Sequence, residues 1–198
     1  TAGTNGAVRT PMTVNATTLD AGETLDFDGN NMTSPLTINS GAGADSLDGG
    51  TVDDVIYGNA GNDVIDGQEN SAAYGADAIY GGAGNDTINV STNETEFSNS
   101  STTALVTDTV DGGAGTDTLA FGAAATLTRA ELVNISNIEV LSLANTSSIT
   151  LSDDFLTNNP GISVSLAAGT ISAGAGTTAS PTITKAVSYT AGNNNIKI

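Results

Sequence analysis

Three segments of this chain spell nearly the same nine-residue phrase. They are Gly-Asn-Ala-Gly-Asn-Asp-Val-Ile-Asp at 58–66, Gly-Gly-Ala-Gly-Asn-Asp-Thr-Ile-Asn at 81–89 and Gly-Gly-Ala-Gly-Thr-Asp-Thr-Leu-Ala at 112–120. A unit this short cannot bury an apolar face alone, so successive units must stack on one another. The acidic position keeps the period: Asp45, Asp54 and Asp63 step by nine, as do Asp77 to Asp86 and Asp108 to Asp117. The two irregular gaps, Asp63 to Asp77 and Asp86 to Asp108, are nine plus five and nine plus thirteen residues. Both read as loops inserted between turns of a regular ladder. Two residues after each Asp stands an apolar side chain: Leu47, Ile56, Ile65, Ile79, Ile88, Val110 and Leu119. A flexible Gly/Asp-rich linker would not hold that register.

The template Gly-Gly-x-Gly-x-Asp-x-(apolar)-x is that of a calcium-binding parallel β-structure, and its chemistry follows from the residue types. The first six residues form a turn and the last three a very short strand. Two units make one coil, so the turns alternate between two sides of a flattened, right-handed parallel β-solenoid. Glycines open backbone angles closed to other residues and let the chain approach an ion closely. Calcium takes six to eight oxygens from carboxylates and backbone carbonyls, which a Gly-rich turn with one Asp can offer. The predicted ligand set is therefore Asp45, Asp54, Asp63, Asp77, Asp86, Asp108 and Asp117. With them go the turn glycines Gly41, Gly43, Gly49, Gly58, Gly61, Gly75, Gly82, Gly84, Gly113 and Gly115. Stacking alternate units pairs Asp45 with Asp63, Asp63 with Asp86 and Asp86 with Asp117 on one side. On the other it pairs Asp54 with Asp77 and Asp77 with Asp108, giving up to about five Ca2+ ions. The weaker units are visible: Val52 replaces a turn glycine, and the unit at 103–111 has no glycine.

Charge points the same way. The formal net charge is −18, and between Arg9 and Arg129 there is no Lys or Arg. The whole acidic excess thus lies on the repeats and their N-terminal approach. Such a field repels nucleic acid and anionic membranes and attracts divalent cations. Five bound calcium ions would leave a charge of about −8, so metal binding and folding are expected to be coupled. There is no Cys, no His and no Trp. Disulfides, zinc thiolates and Ser-His relays are thereby excluded, and no apolar run approaches the roughly 20 residues needed to span a bilayer. Calcium can staple a fold outside the cell in place of disulfides. A chain starting at Thr1 rather than Met is expected to be processed or a fragment.

The organisation predicted is N-terminal β-coils over 1–40, the calcium-binding β-roll over 41–120 with loops at 67–76 and 90–107, and a C-terminal β-solenoid extension over 121–198. Strand-like alternation marks 12–15, 24–28 and 35–39, then 138–143, 148–151, 161–166 and 182–189. Asp26 and Asp28 share one face of a strand, read as a solvated face rather than a further cation site. Thr128-Arg-Ala-Glu131 is a capping-box pattern and predicts a short helix near 129–134.

On these motifs the chain resembles the RTX (repeat-in-toxin) family of calcium-binding proteins. The stretch from Gly115 through Leu143 is similar to the segment that follows the repeats in RTX-type surface-layer and adhesin proteins. The resemblance implies type I secretion from a Gram-negative cell and folding in external calcium. The C-terminal Asn195-Ile-Lys-Ile198 departs from the family's acidic secretion signal. Three roles compete: structural protein of a surface layer, biofilm matrix or adhesin; calcium-dependent folding and secretion module of an exoenzyme; and enzyme. Adjacent acids such as Asp53-Asp54 point to opposite faces of a strand, and Thr1 has no evident supporting base, so no catalytic residues are predicted. The structural role is favoured, with self-association into a filament, sheet or lattice and a cell-surface polysaccharide as a further partner.

Overall fold

The computed structural model describes residues 10–67, 75–90, 108–122, 126–127, 132–143, 147–151, 153–166, 169–173 and 195–197. Its strands are short, and all of their pairings are parallel. The first sheet has the order β1 (Met12–Asn15), β3 (Leu36–Asn39), β5 (Val55–Tyr57), β7 (Ala78–Ala83), β9 (Thr109–Ala114) and β12 (Ile135–Ser136). The second runs β2 (Asp26–Asp28), β4 (Ser46–Asp48), β6 (Val64–Asp66), β8 (Thr87–Val90), β10 (Thr118–Phe121), β13 (Val140–Leu143) and β15 (Ser163–Leu166). Odd and even strands therefore alternate between two sheets through the roll, as the paired nonapeptides require. Register follows the apolar position. Val14, Ile38, Ile56, Ile79, Val110 and Ile135 align across the first sheet. Phe27, Leu47, Ile65, Ile88, Leu119, Leu141 and Val164 align across the second.

Those two rows supply most of the core. Ile38, Leu47, Ile56, Ile65 and Leu119 are fully buried, and the remaining members from Ile79 to Val164 nearly so. Each fully buried aliphatic side chain contributes about 1.5–3 kcal/mol. The three-residue strands β4, β5 and β6 bury only their middle side chain, while β3, β10 and β13 bury a second one two positions away. At the N-terminal end Met12, Val14, Leu25 and Phe27 are only half-buried against the core, since no further coil covers them among the described residues.

Beyond β10 the coil widens. A third sheet appears, ordered β11 (Thr126–Leu127), β14 (Ser147–Leu151), β16 (Gly169–Ala173) and β17 (Asn195–Lys197). Where the next strand of the first sheet would follow β12, the chain instead forms the helix α1 (Asp153–Asn158). Phe155 anchors it, fully buried. Asn159, also fully buried, accepts from the Ile138 N–H at 2.9 Å and donates to the carbonyls of Ile135 (3.0 Å) and Phe155 (2.7 Å). A helix laid beside the last strand covers an edge that would otherwise recruit another strand.

The helix expected near 129–134 is corrected by this arrangement. Residues 132–134 form a turn, Leu132 is buried in the core, and 128–131 lie outside the described residues. The capping-box pattern is a local signal, and core burial of Leu132 beside β12 overrides it. A start signal for the observed helix was present in the sequence Ser152-Asp153-Asp154, a residue type favoured at N-caps followed by acids. The inserted loops lie outside the described residues over 68–74 and 91–107, as does the strand expected at 182–189.

Candidate metal centre

Two kinds of turn join the sheets. Forward turns lead from the first sheet to the second, at 40–45, 58–63, 81–86 and 112–117; return turns lead back, at 49–54, 67–77 and 91–108. Six of the seven predicted aspartates are buried: Asp45, Asp54, Asp63, Asp77, Asp86 and Asp117. Asp108 is half-buried. The forward turns bring Asp45, Asp63, Asp86 and Asp117 into one column, and the return turns align Asp54, Asp77 and Asp108 in another.

Each column is a hydrogen-bond ladder. The backbone N–H of Asp45 donates to Oδ1 of Asp63 (2.8 Å), that of Asp63 to Asp86 (2.9 Å), and that of Asp86 to Asp117 (2.8 Å). Below, Leu25 N–H donates to Asp45 Oδ1 at 2.7 Å. In the return column Leu36 N–H donates to Asp54, Asp54 to Asp77 and Asp77 to Asp108, at 2.7, 2.8 and 2.9 Å. Each carboxylate thus spends one oxygen tying its coil to the preceding one. The fifth position of the motif, unassigned from sequence, carries a second ladder in the opposite sense. Asn62 Oδ1 accepts from the N–H of Asn85 (2.7 Å), and Asn85 Oδ1 from that of Thr116 (2.8 Å). Asp53 plays the same part for Ala76 at 2.9 Å.

The other carboxylate oxygen divides the aspartates into two kinds. Oδ2 of Asp63, Asp86 and Asp117 is buried with no hydrogen-bond partner. In the return column Asp54 Oδ2 accepts from Gly50 N–H, while at the N-terminal end of the forward column Asp45 Oδ2 accepts from Gly41 N–H at 3.2 Å. A buried carboxylate oxygen without a donor costs several kcal/mol unless a cation or proton meets it. Beside each orphan lies a backbone carbonyl. The position a Cβ would take on Gly58 is 2.5 Å from both Asp63 Oδ2 and Gly81 O; on Gly81 it is 2.5 Å from both Asp86 Oδ2 and Gly112 O. The first glycine of each unit therefore clears a space between its own carboxylate and the carbonyl of the next forward turn. The fourth glycine answers to a different demand. Gly84 (φ +142°) and Gly115 (φ +151°) have backbone angles that L side chains rarely adopt, and a Cβ on either would overlap the carbonyl oxygen of the glycine stacked beneath it, Gly61 or Gly84.

The remaining predicted glycines play similar packing parts. Gly61, Gly82 and Gly113 also have positive φ and sit on the neighbouring turn's carbonyl oxygens. Gly49 lies against Gly67 O and Asp54 Oδ2, Gly43 against Glu23 O and Gly41 against Leu19, while Gly75 is buried beside Asp77 in sequence. Asp26 and Asp28 are exposed on β2 and share no ladder with these groups.

Electrostatics match a site built for a positive guest. Burial, then the Asp86 and Asp45 carboxylates, pushes the Asp63 carboxyl up to about 7. Burial raises Asp86 and Asp54 as well, and Asp117 is raised by burial and then by the neighbouring Asp86, Glu139 and Asp111. In the return column Asp108 is pushed up to about 6 by burial and by Asp53. Among the described residues no three carboxylate, His or Cys side chains converge. Most oxygens around a guest ion must then come from the backbone, which suits calcium and not a soft transition metal. The donor set fits a hard divalent cation, with the orphaned Oδ2 atoms and the stacked turn carbonyls as its holders.

Sequence reading missed Asn62 and Asn85, and it missed Glu139, whose Oε2 accepts from the Asp117 N–H at 2.8 Å and so continues the forward ladder past the repeats. A signal for Glu139 existed: it stands two residues before the buried Leu141, the same offset that separates each motif Asp from its apolar partner.

Residues 37–70, 71–91 and 107–125 match the family model described as the RTX calcium-binding nonapeptide repeat (4 copies). No curated protein and no solved structure matches the chain.

Proposed function

We infer, from the premise that this is an RTX-repeat protein and therefore binds calcium, that it acts outside the cell as a structural component of a bacterial surface layer, biofilm matrix or adhesin. RTX repeats are typical of secreted proteins, and no helix among the described residues is long and apolar enough to cross a membrane. The observation that carries the reading is the line of buried, partnerless Oδ2 atoms on Asp63, Asp86 and Asp117. Such a line opposes folding until cations neutralise it, so calcium sets when and where the chain becomes rigid. The structural role, rather than that of a secretion module beside an exoenzyme, is supported by the sheets themselves. They run without interruption from β1 and β2, before the repeats, through to β12 and β15 after them. Among the described residues no coil covers the strands β1 and β2, which leaves that end of the solenoid for contact, and bound calcium lowers the charge repulsion between copies. Self-association into filaments or a lattice, with a cell-surface polysaccharide as a further ligand, completes the proposal. No catalytic role is assigned.

The test is circular dichroism and light scattering of the purified chain with chelator and with millimolar calcium, followed by electron microscopy. The expected result is a largely unstructured chain in chelator, β signal on calcium addition, and extended assemblies at high protein. Magnesium should substitute poorly, because it demands a smaller octahedral shell and releases its water reluctantly. Unchanged β content after thorough chelation would remove the calcium-folding reading. Strict monomers in calcium would move the assignment to the secretion module.

A further inference from the structure

We propose that the cation column continues one step past the last repeat, with Asp117, the Asn137 carbonyl and Glu139 forming a site for a hard divalent cation that no nonapeptide encodes. The proposal rests on the calcium reading of the forward turns and extends it to a coil with a different sequence.

Four observations carry it. Glu139 stands in the place of a sixth-position Asp, since Asp117 N–H donates to its Oε2 as each lower Asp donates to the acid above. Its register agrees, because Leu119 pairs with Leu141 and Thr118 with Val140 across β10 and β13. Asp117 is fully buried, and its Oδ2 has no hydrogen-bond partner. Finally, a Cβ on Gly112 would overlap Asn137 O and lie 3.0 Å from Asp117 Oδ2. This repeats the pairing of carboxylate and next-turn carbonyl seen at Gly58 and Gly81, with Asn137 supplying the carbonyl that a motif glycine supplies elsewhere.

The substitution of Glu for Asp has a physical reason. From aligned core residue to core residue a forward coil of the roll runs nine positions, Val110 to Leu119, whereas the residues stacked on them, Ile135 and Leu141, are six apart. The acid is thus delivered by a shorter coil, and Glu brings one methylene more of reach than Asp. Asn137 has a left-handed backbone (φ +53°), which Asn tolerates better than most residues. It is held there by its N–H to Asn158 O (3.0 Å) and its Nδ2 to Asp111 Oδ1 (2.7 Å). Through the first of these bonds the site leans on the end of α1. The last cation of the column is thus completed by the C-terminal extension.

The experiment counts calcium ions per chain by equilibrium dialysis and records the calcium midpoint of β formation for wild type, Glu139→Gln, Glu139→Ala and Asp154→Asn. Gln keeps size and a hydrogen-bond acceptor but loses the charge; Asp154 is exposed on α1 and serves as the charge-matched control. Glu139→Gln should bind one calcium fewer than wild type, or fail to fold with calcium at all, while Asp154→Asn matches wild type. Glu139→Ala should add a loss of thermal stability to the same missing ion. Wild-type stoichiometry and midpoint in Glu139→Gln would overturn the proposal and leave Glu139 a hydrogen-bonding cap. Absence of calcium binding in wild type would instead defeat the calcium reading itself.

Discussion

The forward and return turns of the roll are built from the same repeat, yet they have diverged. Forward turns keep their length, and in three of them the Asp Oδ2 is buried without a partner. Return turns carry both insertions, and they include the unit with Val52 for glycine and the unit with no glycine at 103–111. In the return turn at 49–54 the Gly50 N–H already satisfies Asp54 Oδ2. The Asp54 carboxylate therefore serves as an internal hydrogen-bond cap, while those of Asp63, Asp86 and Asp117 retain an oxygen for a guest. The lesson is that a conserved spacing does not confer a conserved role. The ladder through Oδ1 is common to both sides and fixes the fold; what Oδ2 meets decides whether a given turn can hold an ion.

The largest expected contrast is between Asp63→Ala and Asp54→Ala. Losing Asp63 removes an orphaned oxygen, and should lower the calcium stoichiometry and raise the calcium midpoint by about tenfold, the scale of losing a metal-site partner. Losing Asp54 strands the N–H groups of Leu36 and Gly50. That should cost about 1–3 kcal/mol of stability for each stranded group while leaving the ion count intact. Calcium titration and thermal melts of both variants read this out, and an equal loss of ions from the two would erase the distinction between the sides.

Acidity should act on the same groups without metal. Asp63 has a folded-state carboxyl raised from 3.8 to about 7. Its contribution to metal-free stability is fully present below 3.8 and lost as pH rises through about 7. The chelated chain should therefore gain β signal on acidification from pH 8 toward pH 5, and Asp63→Asn should flatten part of that rise. A chelated chain whose β content is flat over this range would show that the orphaned oxygens do not limit folding.

Smallest of all should be the effect of shortening a return loop. Deleting five residues from 68–74 would return the separation of Asp63 and Asp86 from 23 residues to 18, the spacing of Asp45 and Asp63. Loop-closure entropy changes by only about 0.6 kcal/mol per doubling of length, so the melting midpoint in calcium should move little. A shift of several kcal/mol would mean that the return side carries more than connection.

Much of this architecture was legible in the chain because nine-residue periodicity makes register a matter of counting. Ile56, Ile65, Ile88 and Leu119 are buried where the repeat puts them, and the aspartates stack in the predicted pairs. What escaped was set by contacts the period does not encode. The Asn62–Asn85 ladder lies at a position where Asn, Thr, Asp and Ala all occur, so no pattern marks it. The third sheet and α1 appear where the coil abandons the repeat, and there the burial of Phe155 and the bonds of Asn159 decide the path. Likewise, the satisfaction of one Asp oxygen and not another depends on where a neighbouring N–H points, which spacing alone does not specify.

The bonds through Oδ1 also give the molecule an arrow in time. Every ladder N–H in the forward column awaits an acid that lies later in the chain, by 18 residues at Asp45, 23 at Asp63, 31 at Asp86 and 22 at Asp117. A chain emerging amino-terminus first from a ribosome cannot close any of these rungs until the following coil has cleared the exit. The ordered part must trail the emerging part by one full coil throughout, and the last repeat remains open until Glu139 arrives. Delay is thus written into the direction of a hydrogen bond.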